Sequence, residues 1–269
     1  MVRLVTFAII GAEKCGTTWL HYTLRQHPQI YMPLEETKYF SAALDEMGSY
    51  EDHFEAREFD AKLEARWYRD APPEALALGD KSPSYFTHEH ALARMRVYNP
   101  RMRVVVMLRD PVFATWSRQR MYRRMQCGCD DFDLASWMGS KRGPRLREQL
   151  QQAHFAEHLR RADASFPRSA IFVAILERVR DAPGALLPLY RFLGVDAVPL
   201  PRHRVPNAHP PALPASNETL CELATSFAPW NAELFERLGE TVGEWLAPGD
   251  VCRRQQKLAA HAAELRGGP

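Results

Sequence analysis

The sequence predicts an α/β protein, with a central, mainly parallel sheet of about four to five strands flanked by helices. Three observations carry this. Near-continuous apolar runs recur at Leu4–Ile10, Val104–Leu108 and Ala170–Leu176, the pattern of strands covered on both faces. Helix-period stretches alternate with them. The first run ends in a short loop between Gly11 and Gly16, from which Thr17 and Thr18 open a helix carrying Trp19, Leu20 and Leu24.

That strand–loop–helix turn carries chemistry. It aims several backbone N–H groups at one spot, and the helix N-terminus adds partial positive charge. Lys14 adds a full charge. The ligand of such a cradle is a phosphate or a close relative; the bland alternative is a structural glycine turn. The nucleotide-triphosphatase loop is G-x-x-x-x-G-K-[ST]. Here Gly11 and Gly16 keep its glycine spacing, but Thr17 stands where its lysine should be, and the lysine lies inside the loop at Lys14. ATP or GTP hydrolysis needs that lysine on the β/γ-phosphates, so the loop argues against it. The fold expected is therefore P-loop-like and three-layered, without the triphosphatase chemistry.

Ile30–Met32 reads as a short strand leading to Leu34-Glu35-Glu36-Thr37-Lys38-Tyr39-Phe40. A strand end in an open parallel sheet lies beside the ligand crevice, and a hydroxyl acceptor needs a carboxylate to take its proton; otherwise this is a solvated acidic turn. Residues 41–75 suggest helical pieces, with Tyr50, Phe54, Phe59, Trp67 and Tyr68 as packing or acceptor-pocket residues. Ala77–Phe86 places Lys81 at a strand end, unless it is a surface turn around Pro83. After Val104–Leu108, Arg109-Asp110-Pro111 turns into a helix with proline in its first turn. An Arg fork suits a phosphate dianion; pairing with Asp110 is the alternative for Arg109. Seven arginines between 101 and 124 form either a basic rim for an anionic acceptor or a solvated helix face.

Residues 127–145 read as a flexible insertion, Leu146–Ala164 as one helix, and 183–194 as a helix closing at Gly194. Residues 199–214 hold six prolines interleaved with Arg202 and Arg204, a stiff irregular loop. A helix starts near Ser216 and is expected to break at Pro229; Val251–Arg266 reads as a further helix.

At 269 residues the chain suits a single domain, 1–269, with a sizeable core. A net charge of +2 gives no reason to expect nucleic acid or membrane as a partner, and no signal or membrane segment is expected. Five cysteines, at 15, 127, 129, 221 and 252, suggest neither a disulfide framework nor zinc spacing. No metal site is expected, and a reducing cytoplasm fits best.

Gly11-x-x-Lys14-x-Gly16-Thr17-Thr18-x-Leu20 followed by His27-Pro28-x-Ile30 resembles the 5′-phosphosulfate loop of sulfotransferases that use 3′-phosphoadenylyl sulfate (PAPS). The likeness is nearest to the carbohydrate and bacterial members. Asp80-Lys81-Ser82-Pro83-Ser84-Tyr85 resembles the family's E-K-[ST]-P-x-Y, with Asp80 for the usual Glu. Arg109 and Ser117 keep the spacing R-D-P-x-x-x-x-x-S, and Phe192-Leu193-Gly194-Val195 resembles F-L-G-[VIL]. The resemblance implies that Lys14, Cys15, Gly16, Thr17, Thr18 and Trp19 hold the donor's 5′ end, and that Arg109 and Ser117 bind its 3′-phosphate. Glu36, rather than Glu35, matches the register of the catalytic base, and Lys81 holds the sulfuryl group or orients that base. Arg202 and Arg204 are weaker nucleotide contacts, since the usual Lys-Gly-Arg element is absent there. PAPS is the implied co-substrate, PAP the product, and no metal is required. The implied acceptor is a hydroxyl of a small molecule, carbohydrate or natural product, free or carrier-bound. The competing readings are a small-molecule kinase and a non-catalytic nucleotide-binding protein.

Overall fold

The computed structural model describes residues 4–41, 67–127, 134–140, 144–180, 184–198 and 217–245. Two compact units are made from alternating parts of the chain: Met1–Leu108 with Glu157–Ala208, and Arg109–Ala156 with His209–Pro269.

The first unit contains the sheet. Its strands are β1 (Phe7–Gly11), β2 (Ile30–Tyr31), β3 (Ala77–Lys81), β4 (Arg103–Leu108) and β5 (Ile171–Ile175). They lie in the order β2-β3-β1-β4-β5, and every pairing is parallel. All C-terminal strand ends therefore share one edge. Every residue of β1 and β3 is buried, and Val104, Val105, Val106, Met107 and Leu108 of β4 are fully so. Burial on both faces is what the unbroken apolar runs require. At the other edge Tyr98 accepts a hydrogen bond from the Val5 N–H at 2.9 Å, and Asn99 donates to the Val5 carbonyl at 2.8 Å. These contacts pin the entry to β1.

Helix α1 (Thr17–Leu24) follows β1 and packs back on it, while α2 (Ala91–Tyr98) packs on the turn after β3. Gly194, at φ 72°, ends α8 (Leu187–Leu193) in the left-handed conformation, and the Val195 N–H returns to the Tyr190 carbonyl at 3.1 Å. This is the glycine stop expected of a helix C-terminus. A short helix, α7 (Leu176–Val179), leaves β5 directly.

The second unit includes α3 (Pro111–Cys127), α4 (Leu134–Ser140), α5 (Pro144–Gln151) and the long α9 (Asn217–Leu238); α6 (Phe155–Ser165) spans the chain boundary between the units. Three expectations are corrected. The insertion at 127–145 contains a helix, α4. The stretch 146–164 is not one helix: α5 and α6 are separated by a turn at 152–154, where the His154 N–H donates to the Gln151 carbonyl at 2.9 Å. His154 there stacks on Trp230 of α9, with ring centroids 4.4 Å apart, and meets Glu233 at 3.5 Å. That tertiary contact outweighs helix continuity. Finally, α9 runs through Pro229 without a break. Pro229 and Thr225, whose carbonyl it leaves without a helical donor, are both exposed, so that carbonyl is not left orphaned in the core.

Cys15 is a buried free thiol, and Cys221 is disulfide-bonded, a pairing that the cysteine spacing did not suggest. No helix among the described residues is long and apolar enough to cross a membrane. Arg202, Arg204, Tyr50, Phe54, Phe59 and the stretch 251–266 lie outside the described residues.

Gly79 fixes how closely β3 approaches β1. It stands opposite Phe7, and a Cβ there would meet the buried Phe7 ring at 2.2 Å. Gly79→Ala is expected to lower stability by about 1–3 kcal/mol through overpacking, read as a reduced midpoint in urea unfolding with an unchanged slope.

Candidate active site

The loop after β1 is held from beneath. The Ala12 N–H donates to the Met107 carbonyl at 2.7 Å, and the Cys15 N–H to the Ala12 carbonyl at 3.2 Å. Lys14 takes a left-handed backbone, φ 65°, and is partly exposed. Gly16 is also left-handed at φ 87°, and a Cβ on it would strike Leu176 at 2.5 Å. Glycine is required there on both counts. Cys15 and Thr17 are buried, while Thr18 and Trp19 are half-buried. No acidic residue occupies the first turn of α1, so nothing there opposes an anion.

The segment after β2 docks on the segment after β3. Lys81 Nζ donates to Glu36 Oε1 at 2.5 Å. Lys81 is 7% exposed and Glu36 35%. An ammonium so enclosed needs a partner, and the carboxylate half-open to solvent remains able to meet a second group. Glu35, the neighbouring acid, points to solvent. The Lys38 N–H donates to Ser82 Oγ at 2.9 Å, and Lys38 itself is left-handed at φ 50°.

Beneath this pair lies a buried polar network. Thr37 Oγ1 and Tyr85 OH both donate to Asp80 Oδ2, at 2.9 and 2.7 Å. The Phe40 N–H donates to the Tyr85 hydroxyl at 3.3 Å. Burial raises the Asp80 carboxyl above the ordinary carboxylate range, while its hydrogen bonds with Tyr85 and Thr37 oppose the shift. Burial also pushes the Tyr85 phenol well up, reinforced by the Asp80 charge. Tyr85 therefore stays protonated and acts as a donor.

His21 of α1 and Arg25, the residue that caps the end of α1, reach the same region. His21 is 1% exposed, and its Nε2–H donates to the Pro33 carbonyl at 2.8 Å. Arg25 Nε donates to the adjacent Met32 carbonyl at 3.1 Å. His27 donates through Nε2 to the Asp196 carbonyl at 2.8 Å and accepts the Gln29 N–H at Nδ1, so this residue of the first motif braces the fold.

The second unit carries Arg109 and Ser117. The Arg109 guanidinium lies 5.5 Å from the Phe113 ring, and Ser117 is half-buried on α3. The Asp110 carboxylate accepts the Val112 N–H at 2.8 Å and caps the start of α3. The arginines of 101–124 do not form one surface. Arg118 is 1% exposed, Arg120 covers the Trp116 ring at 4.7 Å, and Arg103 donates to the Leu193 carbonyl at 2.7 Å.

Residues 7–199 match the family model for the sulfotransferase family. The chain belongs to that family. Human heparan sulfate glucosamine 3-O-sulfotransferase 3B1 is 28% identical over 201 residues, covering 72% of this chain and 47% of its own length. The mouse bifunctional heparan sulfate N-deacetylase/N-sulfotransferase 4 is 26% identical over 206 residues, with 72% and 22% covered. This sulfotransferase thus spans about half or less of the curated relatives named here. A sulfotransferase from Alicyclobacillus acidocaldarius superposes with a TM-score of 0.67 at 23% identity, covering 91% of this chain and 99% of the other. The sulfotransferase domain of the Synechococcus PCC 7002 olefin synthase gives 0.50 at 18% identity, with 84% and 94% covered. Both share the fold of the parallel sheet described above.

Sequence reasoning named Glu36, Lys81, Lys14, Thr17 and Thr18 from their motifs, but not His21, Thr37 or Tyr85 as supports. The one available signal for His21 was its place four residues after Thr17, on the same helical face. The Asp80 network is testable. Its folded-state pKa lies above the unfolded value, so the fold is favoured at low pH and loses stability as pH rises through the raised value. Tyr85→Phe removes a donor from that ionising carboxylate. It should cost about 1–3 kcal/mol, and the cost should shrink as pH falls, because the Tyr85 hydrogen bond favours the ionised carboxylate, as read by urea unfolding across acid pH.

Proposed function

We propose that this sulfotransferase moves a sulfuryl group from PAPS to a hydroxyl of a carbohydrate or other small-molecule acceptor, free or carrier-bound, giving PAP and a sulfate ester. The observation that carries the reading is the Lys81–Glu36 contact between the end of β3 and the segment that follows β2, on the sheet edge where the Gly11–Gly16 loop and its Lys14 also emerge.

In this reading the loop N–H groups and the Thr17 and Thr18 hydroxyls hold the donor's 5′-phosphate. Glu36 takes the proton from the acceptor hydroxyl as its oxygen bonds to sulfur. The bond from sulfur to the bridging oxygen breaks, and its electron pair stays on the 5′-phosphate. Lys14 stabilises the charge that develops there, and Lys81 keeps Glu36 oriented. Arg109 and Ser117 serve the 3′-phosphate. Positioning and charge stabilisation suffice, since the transferred group arrives activated. Metal is not needed in this scheme, and no cluster of ligand side chains occurs among the described residues. The name of the matched human 3-O-sulfotransferase favours a sugar hydroxyl as the acceptor, whereas that of the mouse N-sulfotransferase supports only a sugar acceptor.

Calorimetry with PAP, ATP and GTP tests the donor. PAP should bind and the triphosphates should not; preferential ATP binding would return the kinase reading. Sulfate transfer from labelled PAPS to glucosamine-containing oligosaccharides tests the chemistry. Lys14→Ala and Glu36→Gln should each lower turnover by about 10²-fold or more, with Glu36→Gln retaining PAP affinity.

A further inference from the structure

Helix α1 does two things at once. Its N-terminus completes the loop that holds Lys14, Thr17 and Thr18, and one turn later its side chains grip the chain that leads to Glu36. His21 and Arg25, four residues apart and on one helical face, take consecutive carbonyls, Pro33 by Nε2 at 2.8 Å and Met32 by Nε at 3.1 Å. Glu36 follows three residues after Pro33. Pro33 is buried, so its carbonyl needs a donor. The donor that meets it is an imidazole with almost no solvent contact, 1% exposed.

We infer that His21 is a positioning residue, which ties the acceptor-side carboxylate Glu36 to the donor-side loop through α1. The inference rests on the sulfuryl-transfer reading above. The chemistry of the spot explains why a histidine serves. A lysine or arginine would bring a second cation beside Lys81 and compete with it for Glu36. Neutral imidazole supplies a directed N–H with no charge. His21 is kept neutral chiefly by burial, which takes its pKa to about 4. The Pro33 carbonyl opposes that shift, Lys81 and Arg25 add to it, and Glu36 opposes it. Both members of the catalytic pair are thus within electrostatic reach of His21. The separation between donor loop and base becomes a property of one short helix rather than of two independent loops.

The test uses His21→Leu, which removes the donor, and His21→Gln, whose amide N–H replaces Nε2–H. With labelled PAPS and a glucosamine-containing oligosaccharide, His21→Leu should lower kcat by about 10-fold or more, since small misplacements at a reacting centre cost that much. PAP affinity by calorimetry should stay within about 3-fold, and His21→Gln should recover most of the kcat. A His21→Leu enzyme with full kcat, or one that loses PAP affinity in step with kcat, overturns the inference. A second readout needs no turnover. In proton NMR the His21 ring, assigned by its loss in His21→Gln, should titrate only in acid. Its titration should move up in Lys81→Met and down in Glu36→Gln. Movement in neither variant also overturns the inference. Movement in both, from a protein that does not bind PAP, leaves His21's coupling to the pair in place and removes the donor assignment instead.

Discussion

An enclosed ammonium facing a half-open carboxylate is the constraint on which the site depends. Lys81 is almost wholly removed from water and bonds Glu36 at 2.5 Å. Removing either partner leaves a charge without compensation in a poorly solvated place, which is costly. The contact exists only because β3 lies beside β1, in a register that sets Lys81 against Ile9. That register depends in turn on the missing side chain of Gly79 opposite Phe7. A packing detail in the middle of the sheet thereby decides where a charged group appears at its edge.

Consecutive residues on β3 divide the work. Side chains alternate along a strand, so Lys81 reaches Glu36 while Asp80 turns to Thr37 and Tyr85. Each member of the two-residue step Asp80–Lys81 holds one member of the two-residue step Glu36–Thr37. One contact is ionic and partly wet; the other is a buried hydrogen-bond network that grips the backbone at Phe40 as well. The acid is thus held by its own charge and by its neighbour's hydroxyl.

The fold was largely legible because buried parallel strands write themselves as apolar runs: Leu4–Ile10, Val104–Leu108 and Ala170–Leu176 each cover all or most of one of the strands found. Gly194 likewise marked a helix end by its conformational demand. The misses share a cause. Continuity through Pro229 depends on which face of α9 meets water, and the break before His154 depends on Trp230, far away in sequence. Neither is a local property. The same holds at the site. Motif spacing pointed to Lys81 and Glu36 singly, but their contact joins residues 45 apart. His21 carries no motif at all, and its role follows from a carbonyl that only the folded chain brings to it.

Among the described residues, two that are not glycine take a positive φ, and both are lysines beside the site: Lys14 at 65° and Lys38 at 50°. Side chains with a Cβ adopt this backbone at a penalty on the order of 1 kcal/mol. Glycine or asparagine would rest there more comfortably, so selection for thermostability alone pushes both positions away from lysine. At position 14 that pressure runs against retention of the amine in the loop, and the tension makes it a place where a more robust homologue would be expected to have traded away rate.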